Sequence, residues 1–193
     1  MALGGLGFLP SYKVLSPLCG AWLALCFLLA DASGARARPA KYGALGLQIY
    51  PAGAIVALRS ERAVGATGLA ALWLGFNRTD RRDWGEHDDE HGGGVGVGLG
   101  GRRYWRPGLR GWHMGGAVEF WRLQIDWRHG GRRGQSRVAV LQPTGHFCYT
   151  WGGGVWALEA VVALGGEINV RTRGEGVGQG AILLGGLRLR RPW

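Results

Sequence analysis

Past Tyr42 the sequence has no sustained helical period, and 38 glycines among 193 residues argue against helices, since each interior glycine costs a helix about 1 kcal/mol. A mostly helical fold is excluded. No Gly-X-Y period is present either, which excludes collagen, and a hydrophobic share of 47% with ten tryptophans is too high for a disordered glycine-rich tail. Lysine is nearly missing: Lys13 and Lys41 apart, arginine carries the basic charge behind the net +10. The three cysteines, Cys19, Cys26 and Cys148, cannot all pair and fit no zinc spacing, so disulfide scaffolds and cysteine zinc sites are set aside. The charge-free run from Leu18 to Ala30 counts 13 residues, short of the roughly 20 that cross a bilayer as a helix.

That run has the length of a signal peptide instead. Lys13 precedes it, and Ala30-Asp31-Ala32 puts small residues at the minus-three and minus-one positions, so residues 1–32 are expected to be cleaved after Ala32, with a second possibility near Ala37. Export leaves Cys148 without an intramolecular partner, and it is expected to be a buried small hydrophobe.

What remains alternates with period two between glycine-rich or charged breaks. Eight strands are expected: Tyr42 to Tyr50, Ala54 to Ser60, Gly68 to Asn77, Gly93 to Trp105, Gly111 to Trp127, Arg137 to Trp151, Val155 to Val170 and Gln179 to Trp193. In the seventh, Trp156, Leu158, Ala160, Val162 and Leu164 share one face, with Glu159, Gly165, Glu167 and Asn169 on the other. The last places Leu183, Leu187 and Leu189 opposite Arg188 and Arg190. In the fourth, Val95, Val97 and Leu99 alternate with Gly94, Gly96, Gly98 and Gly100, so the glycine face must be crowded. In the fifth, the apolar set changes phase between Phe120 and Trp121, which predicts a β-bulge there.

Several strands exceed ten residues, longer than soluble strands usually are and suited to a tilted membrane crossing. Short inner turns are expected at Glu61 to Thr67, Arg106 to Arg110 and around Gly152-Gly153, with longer outer loops at Arg78 to His91, Arg128 to Ser136 and Arg171 to Gly178. Tyr104, Trp105, Trp112, Tyr149, Trp151 and Trp156 flank the inner turns as an aromatic girdle, while Tyr50, Phe76 and Trp127 fall at the outer ends.

The run from Asn77 to Glu90, the glycine-alternating strand through Tyr104-Trp105, and Gly111-Trp112 to Asp126-Trp127 resemble a family of small bacterial outer-membrane β-barrel proteins. The resemblance covers most of residues 42–193. It implies the fold and an outer-membrane location, and no established activity. The terminal Trp193 is similar to the aromatic signal read by the barrel assembly machinery, where phenylalanine is more usual; Arg191 and Pro192 depart from the alternating approach to that signal.

Two constellations could carry chemistry. His87, Asp88, Asp89 and His91 offer oxygen and nitrogen donors to a divalent cation, although no spacing fixes a geometry; a polar loop meeting arginines or lipopolysaccharide phosphates is the plainer reading. Ser136, His146 and Glu119 could form a hydrolase triad, but no nucleophile motif frames Ser136. On the polar strand faces, Glu119, Glu159 and Glu167 accompany Arg102, Arg122, Arg137, Arg188 and Arg190, and eight strands leave an interior only wide enough for side chains, so an ion network across the lumen is expected. Gly100-Gly101-Arg102-Arg103 and Gly130-Gly131-Arg132-Arg133 resemble arginine-glycine segments, but export argues against nucleic acid.

The expectation is an exported, all-β, eight-stranded antiparallel up-and-down transmembrane β-barrel over residues 42–193 in a bacterial outer membrane, structural or surface-interacting, with no pore, cofactor or catalysis. Its partners would be outer-membrane lipid, lipopolysaccharide and the assembly machinery. The alternatives are a soluble exported lipocalin-like barrel with an apolar ligand inside, and an outer-membrane lipid-modifying enzyme.

Overall fold

A computed structural model describes residues 40–82, 85–152 and 155–193; the expected signal peptide lies outside the described residues. Eight strands follow one another: β1 (Lys41–Tyr50), β2 (Gly53–Val64), β3 (Gly68–Arg82), β4 (Asp89–Tyr104), β5 (Gly111–His129), β6 (Arg132–Gly152), β7 (Ala157–Arg173) and β8 (Gly180–Pro192). Each pairs antiparallel with its sequence neighbour, and β1 pairs with β8, closing the sheet into a barrel. Closure leaves no strand edge unpaired. The seam is completed by the Trp193 N–H, which donates to the Lys41 carbonyl at 3.1 Å. The termini of the barrel and the β2–β3, β4–β5 and β6–β7 turns lie at one end, the inner end; the other four connections form the outer end.

Alternation decides which way each side chain points. Leu58, Leu74, Val95, Val162, Leu164 and Leu183 face outward, each more than half exposed, and their counterparts on every strand form a continuous apolar band. Contiguous apolar patches on soluble monomers stop at roughly 300–600 Å². A band that circles the whole sheet is suited to lipid instead. The soluble lipocalin-like alternative required Leu158, Val162, Leu183 and Leu187 to point inward, and they do not.

The long outer loops are shorter than the sequence suggested. Ladder pairing runs on through the charged segments, Arg82 opposite Asp89 and His129 opposite Arg132. Polar side chains stop burial, not backbone hydrogen bonding. The β5–β6 connection shrinks to Gly130 and Gly131, both at positive φ (54° and 82°), the conformation a two-residue hairpin turn demands.

The expected bulge at Phe120 and Trp121 is not there, because β5 keeps unbroken register with both neighbours. Trp121, Leu123, Ile125 and Trp127 lie on the same inward face as His113, Ala117 and Glu119, the outer half of the lumen being itself apolar. Arg122 therefore points outward, and so does Arg137 on β6, so neither belongs to the lumen network. A register shift occurs instead where Ala139 pairs with Arg171 and Val140 with Asn169, leaving Val170 of β7 as the extra residue.

The crowded glycine face of β4 has a specific cause. A Cβ on Gly96 would lie 2.2 Å from the Trp121 ring, and one on Gly98 would lie 2.2 Å from the Trp73 ring. The two indoles, Trp73 from β3 and Trp121 from β5, lie over β4 between them and need bare backbone beneath, which alternating glycine supplies.

Candidate functional site

The interior has two halves, divided by Trp73 and Trp121. In the inner half, Arg102 donates to Glu159 Oε1 at 2.7 Å and to Glu61 Oε2 at 2.5 Å, and Arg188 donates to the same Glu159 oxygen at 2.8 Å. Arg190 donates to the Tyr104 hydroxyl at 3.0 Å and the Leu109 carbonyl at 2.9 Å. Glu119 accepts from Trp73 Nε1 at 3.0 Å and Gln142 Nε2 at 2.8 Å, while Arg59 lies over the Trp73 ring at 3.8 Å. Buried charge at this density is tolerable only because each group meets an opposite charge, a hydrogen bond or a ring face.

Of the residues expected in the lumen network, Arg102, Glu119, Glu159, Arg188 and Arg190 meet in this half, and Glu167 lies near the outer mouth. Arg59, Glu61 and His113 were missed. On β2 both faces carry apolar residues, Ile55 and Ala57 inward, Val56 and Leu58 outward, so parity alone could not assign Arg59 and Glu61. His113 stacks on Tyr104 at 4.1 Å and places Nε2 3.2 Å from Glu159 Oε2. Buried Cys148 completes a group with His113 and Glu159 whose donor atoms lie within 4.8 Å of one another. Glu159 is already committed to two guanidiniums, so a cation there would compete with Arg102 and Arg188 for the same carboxylate.

The outer half is apolar, built from Ile55, Trp121, Leu123, Ile125, Val140 and Leu184 among others. Above it, described residues of two connections are bonded across the mouth. Glu90, fully buried, accepts the N–H groups of Glu86 at 2.9 Å, His87 at 3.3 Å and Gly178 at 3.1 Å, joining the β3–β4 connection to the β7–β8 connection. Arg81 donates to Glu167 at 2.5 Å and to the Gly178 carbonyl, and Val177 is tucked into the apolar core with its carbonyl held by Asn169 Nδ2 at 2.8 Å.

The metal candidates diverge. His87 turns inward, stacked on Trp127 at 4.4 Å with Nδ1 3.0 Å from Glu90 and Nε2 3.4 Å from Glu175. Burial acts against its protonation, but the hydrogen bonds and charges of Glu90 and Glu175 outweigh that and raise its pKa above the ordinary value. Asp88 accepts the Gly130 N–H at 3.0 Å, which holds its pKa below the ordinary value, and sits 3.1 Å from His129. Asp89 and His91 project outward, 4.0 Å apart. The four donors share no centre, because alternation sends His91 and Asp89 out while the turn sends His87 in.

The triad candidates are equally separated. Ser136 accepts from Trp127 Nε1 at 3.2 Å and donates to the Glu175 carbonyl at 2.7 Å, whereas His146 bonds Thr144 at 2.7 Å, ten residues or roughly 33 Å further along the same strand. Glu119 is held by Trp73 and Gln142.

At the inner end, Trp105, Trp112, Trp151 and Trp156 are exposed around half-buried Tyr149, and Phe147 joins them, stacked on Trp112 at 4.9 Å. Tyr104 is not in this girdle, since its parity turns it into the lumen, where it is 1% exposed. Trp127 at the outer end likewise faces inward.

A closed eight-stranded antiparallel barrel with apolar side chains outside and ionised ones inside is a transmembrane β-barrel of the outer-membrane type. No protein-family model matches the sequence, and no curated protein matches it. Among solved structures the chain is similar to the N-terminal β-barrel domain of Pseudomonas aeruginosa OprF, at 12% identity over 78% of this chain and 96% of that one, with a TM-score of 0.49. It is also similar to Neisserial surface protein A (8% identity, 80% and 96% covered, TM-score 0.45) and to Ail, the attachment invasion locus protein of Yersinia pestis (9%, 77% and 96%, 0.42).

Proposed function

We propose that this chain resides in a bacterial outer membrane as a structural or surface-interaction barrel that conducts no solute and performs no catalysis. The observation that carries the reading is the inversion of polarity: apolar outside, ion pairs and indoles inside. Lipid rewards the outer band, and side chains occupy the space a pore would need. Export by residues 1–32 and recognition of Trp193 by the assembly machinery belong to the same reading.

Fractionation combined with gel migration before and after boiling tests it. The unheated protein is expected in the membrane fraction, migrating differently from the boiled form, and adding no conductance to a planar bilayer. A soluble periplasmic protein, or stepwise conductance, would overturn it. Val162→Arg, in the middle of the band, is expected to weaken insertion by about 2–4 kcal/mol, read as loss of the folded gel form.

A further inference from the structure

The outward face of β5, β6 and β7 carries arginines at the outer edge of the apolar band. Arg122 and Arg171 flank Ala139 in one cross-strand row, and Arg137 pairs directly with Arg173 in the next. Arg122, Arg137, Arg171 and Arg173 are all exposed. Like charges placed opposite one another weaken a sheet. No carboxylate relieves them among the described residues: Asp126, on the same face, is held by Gln135 Nε2 at 2.7 Å, and Glu175 is taken by Arg132 and His87.

Two further features give the cluster shape. Up to Asn169 the odd-numbered residues of β7 face the lumen, and continued alternation would have buried Arg171; the extra residue Val170 reverses the phase and turns Arg171 and Arg173 outward. Small Ala139 between the guanidinium-bearing positions leaves an open groove of about 600 Å³, bordered by Gly93, Val95 and Phe120. The cationic row continues onto β3, where outward Arg78 pairs with Gly93 at the groove's edge, while at the same rim β1, β2 and β8 present Ile49, Ala54 and Ala181, with no cation.

We propose that this groove binds the head group of a phosphorylated outer-leaflet lipid, resting on the membrane reading above. Its arginines would clasp two phosphates, since Arg122 and Arg171 stand two strand spacings apart, roughly 10 Å. Guanidinium forks match phosphate oxygens in pairs, and the acyl chains would descend over Val95, Phe120, Leu141 and Ile168. A generic interfacial cation would need neither the phase reversal nor the small residue between the charges.

The test uses the folded barrel in phosphatidylcholine nanodiscs doped with diphosphorylated lipid A or with its phosphate-free form, and native mass spectrometry to count retained lipid. The diphosphorylated form is expected to be retained at least tenfold better. Replacing two cations, Arg137→Gln with Arg173→Gln, is expected to reduce retention about thirtyfold. Arg62→Gln with Arg106→Gln, matched in charge at the inner end, is expected to leave it unchanged. Equal retention of the two lipids, an equal loss in the inner-end variant, or full release by an equimolar amount of inorganic phosphate would each overturn the inference. Unheated gel migration of the same samples separates the failures: a normally folded barrel without lipid preference refutes the groove alone, whereas a wild-type chain with no folded form refutes the membrane reading with it.

Discussion

The inner and outer halves of the lumen solve one packing problem with opposite chemistry. The inner half packs Glu61, Glu119 and Glu159 among Arg102, Arg188 and Arg190, held by directed bonds, with Arg59 laid over the Trp73 ring. The outer half packs Trp121, Leu123, Ile125 and Leu184 by shape alone and closes with a polar cap built on Glu90 and Arg81. The difference teaches that the polarity of an inward face need not be uniform along a strand. On β5 one unbroken register carries His113 and Glu119 inward at one end and Ile125 and Trp127 inward at the other. The halves should accordingly fail in different ways, the inner one to a change of charge and the outer one to a change of volume.

The largest effects are expected where each half is most committed. Glu159→Gln leaves Arg102 and Arg188 without their shared carboxylate and is expected to lower stability by about 3–5 kcal/mol, measured as the urea midpoint of the folded gel form. Trp121→Ala, with no charge at stake, is expected to cost a similar 3–5 kcal/mol through the cavity it leaves; unlike Glu159→Gln, its loss should be partly recovered by Trp121→Phe. If Trp121→Ala proved harmless, the outer half would not be a packed core. Next in size is the divider. Gly98→Val forces a side chain into the Trp73 ring and is expected to destabilise by about 1–3 kcal/mol by overpacking, with the gel midpoint again as readout.

The smallest expected effect concerns the cap. The folded-state pKa of His87 is raised above 6.5, so its protonated form, placed between Glu90 and Glu175, contributes stability that is complete below that value and is lost as pH rises through the folded pKa. The folded form should therefore resist heating better near about pH 6 than near about pH 8.5, and His87→Gln should reduce that difference. An unchanged pH dependence in His87→Gln would show that the cap does not rely on this proton.

Much of the barrel was legible in the residues. Leu187, Arg188, Leu189 and Arg190 announce their two faces, and Val95, Val97 and Leu99 against four glycines announce a wall with something pressed upon it. Arg122 and Arg137 were misplaced for a physical reason. Reading them as lumenal assumed that greasy always means outward, and that assumption fails where the lumen itself turns apolar. Glu90 and His87 were legible only as members of a polar run, because their roles depend on the β7–β8 connection, far away in the chain.

Period-two alternation, glycine abundance and the absence of helical pattern determined by themselves that this chain forms long paired strands with one apolar face. Those are local properties, set by the φ/ψ preferences and polarity of successive residues. Tertiary structure alone decided the rest: the register in which β1 meets β8, the indoles seated on Gly96 and Gly98, the phase reversal at Val170, and the meeting of Glu90 with Gly178. Each joins segments through space, and a one-residue change of register, invisible in composition, is enough to move a charge from the lumen to the lipid.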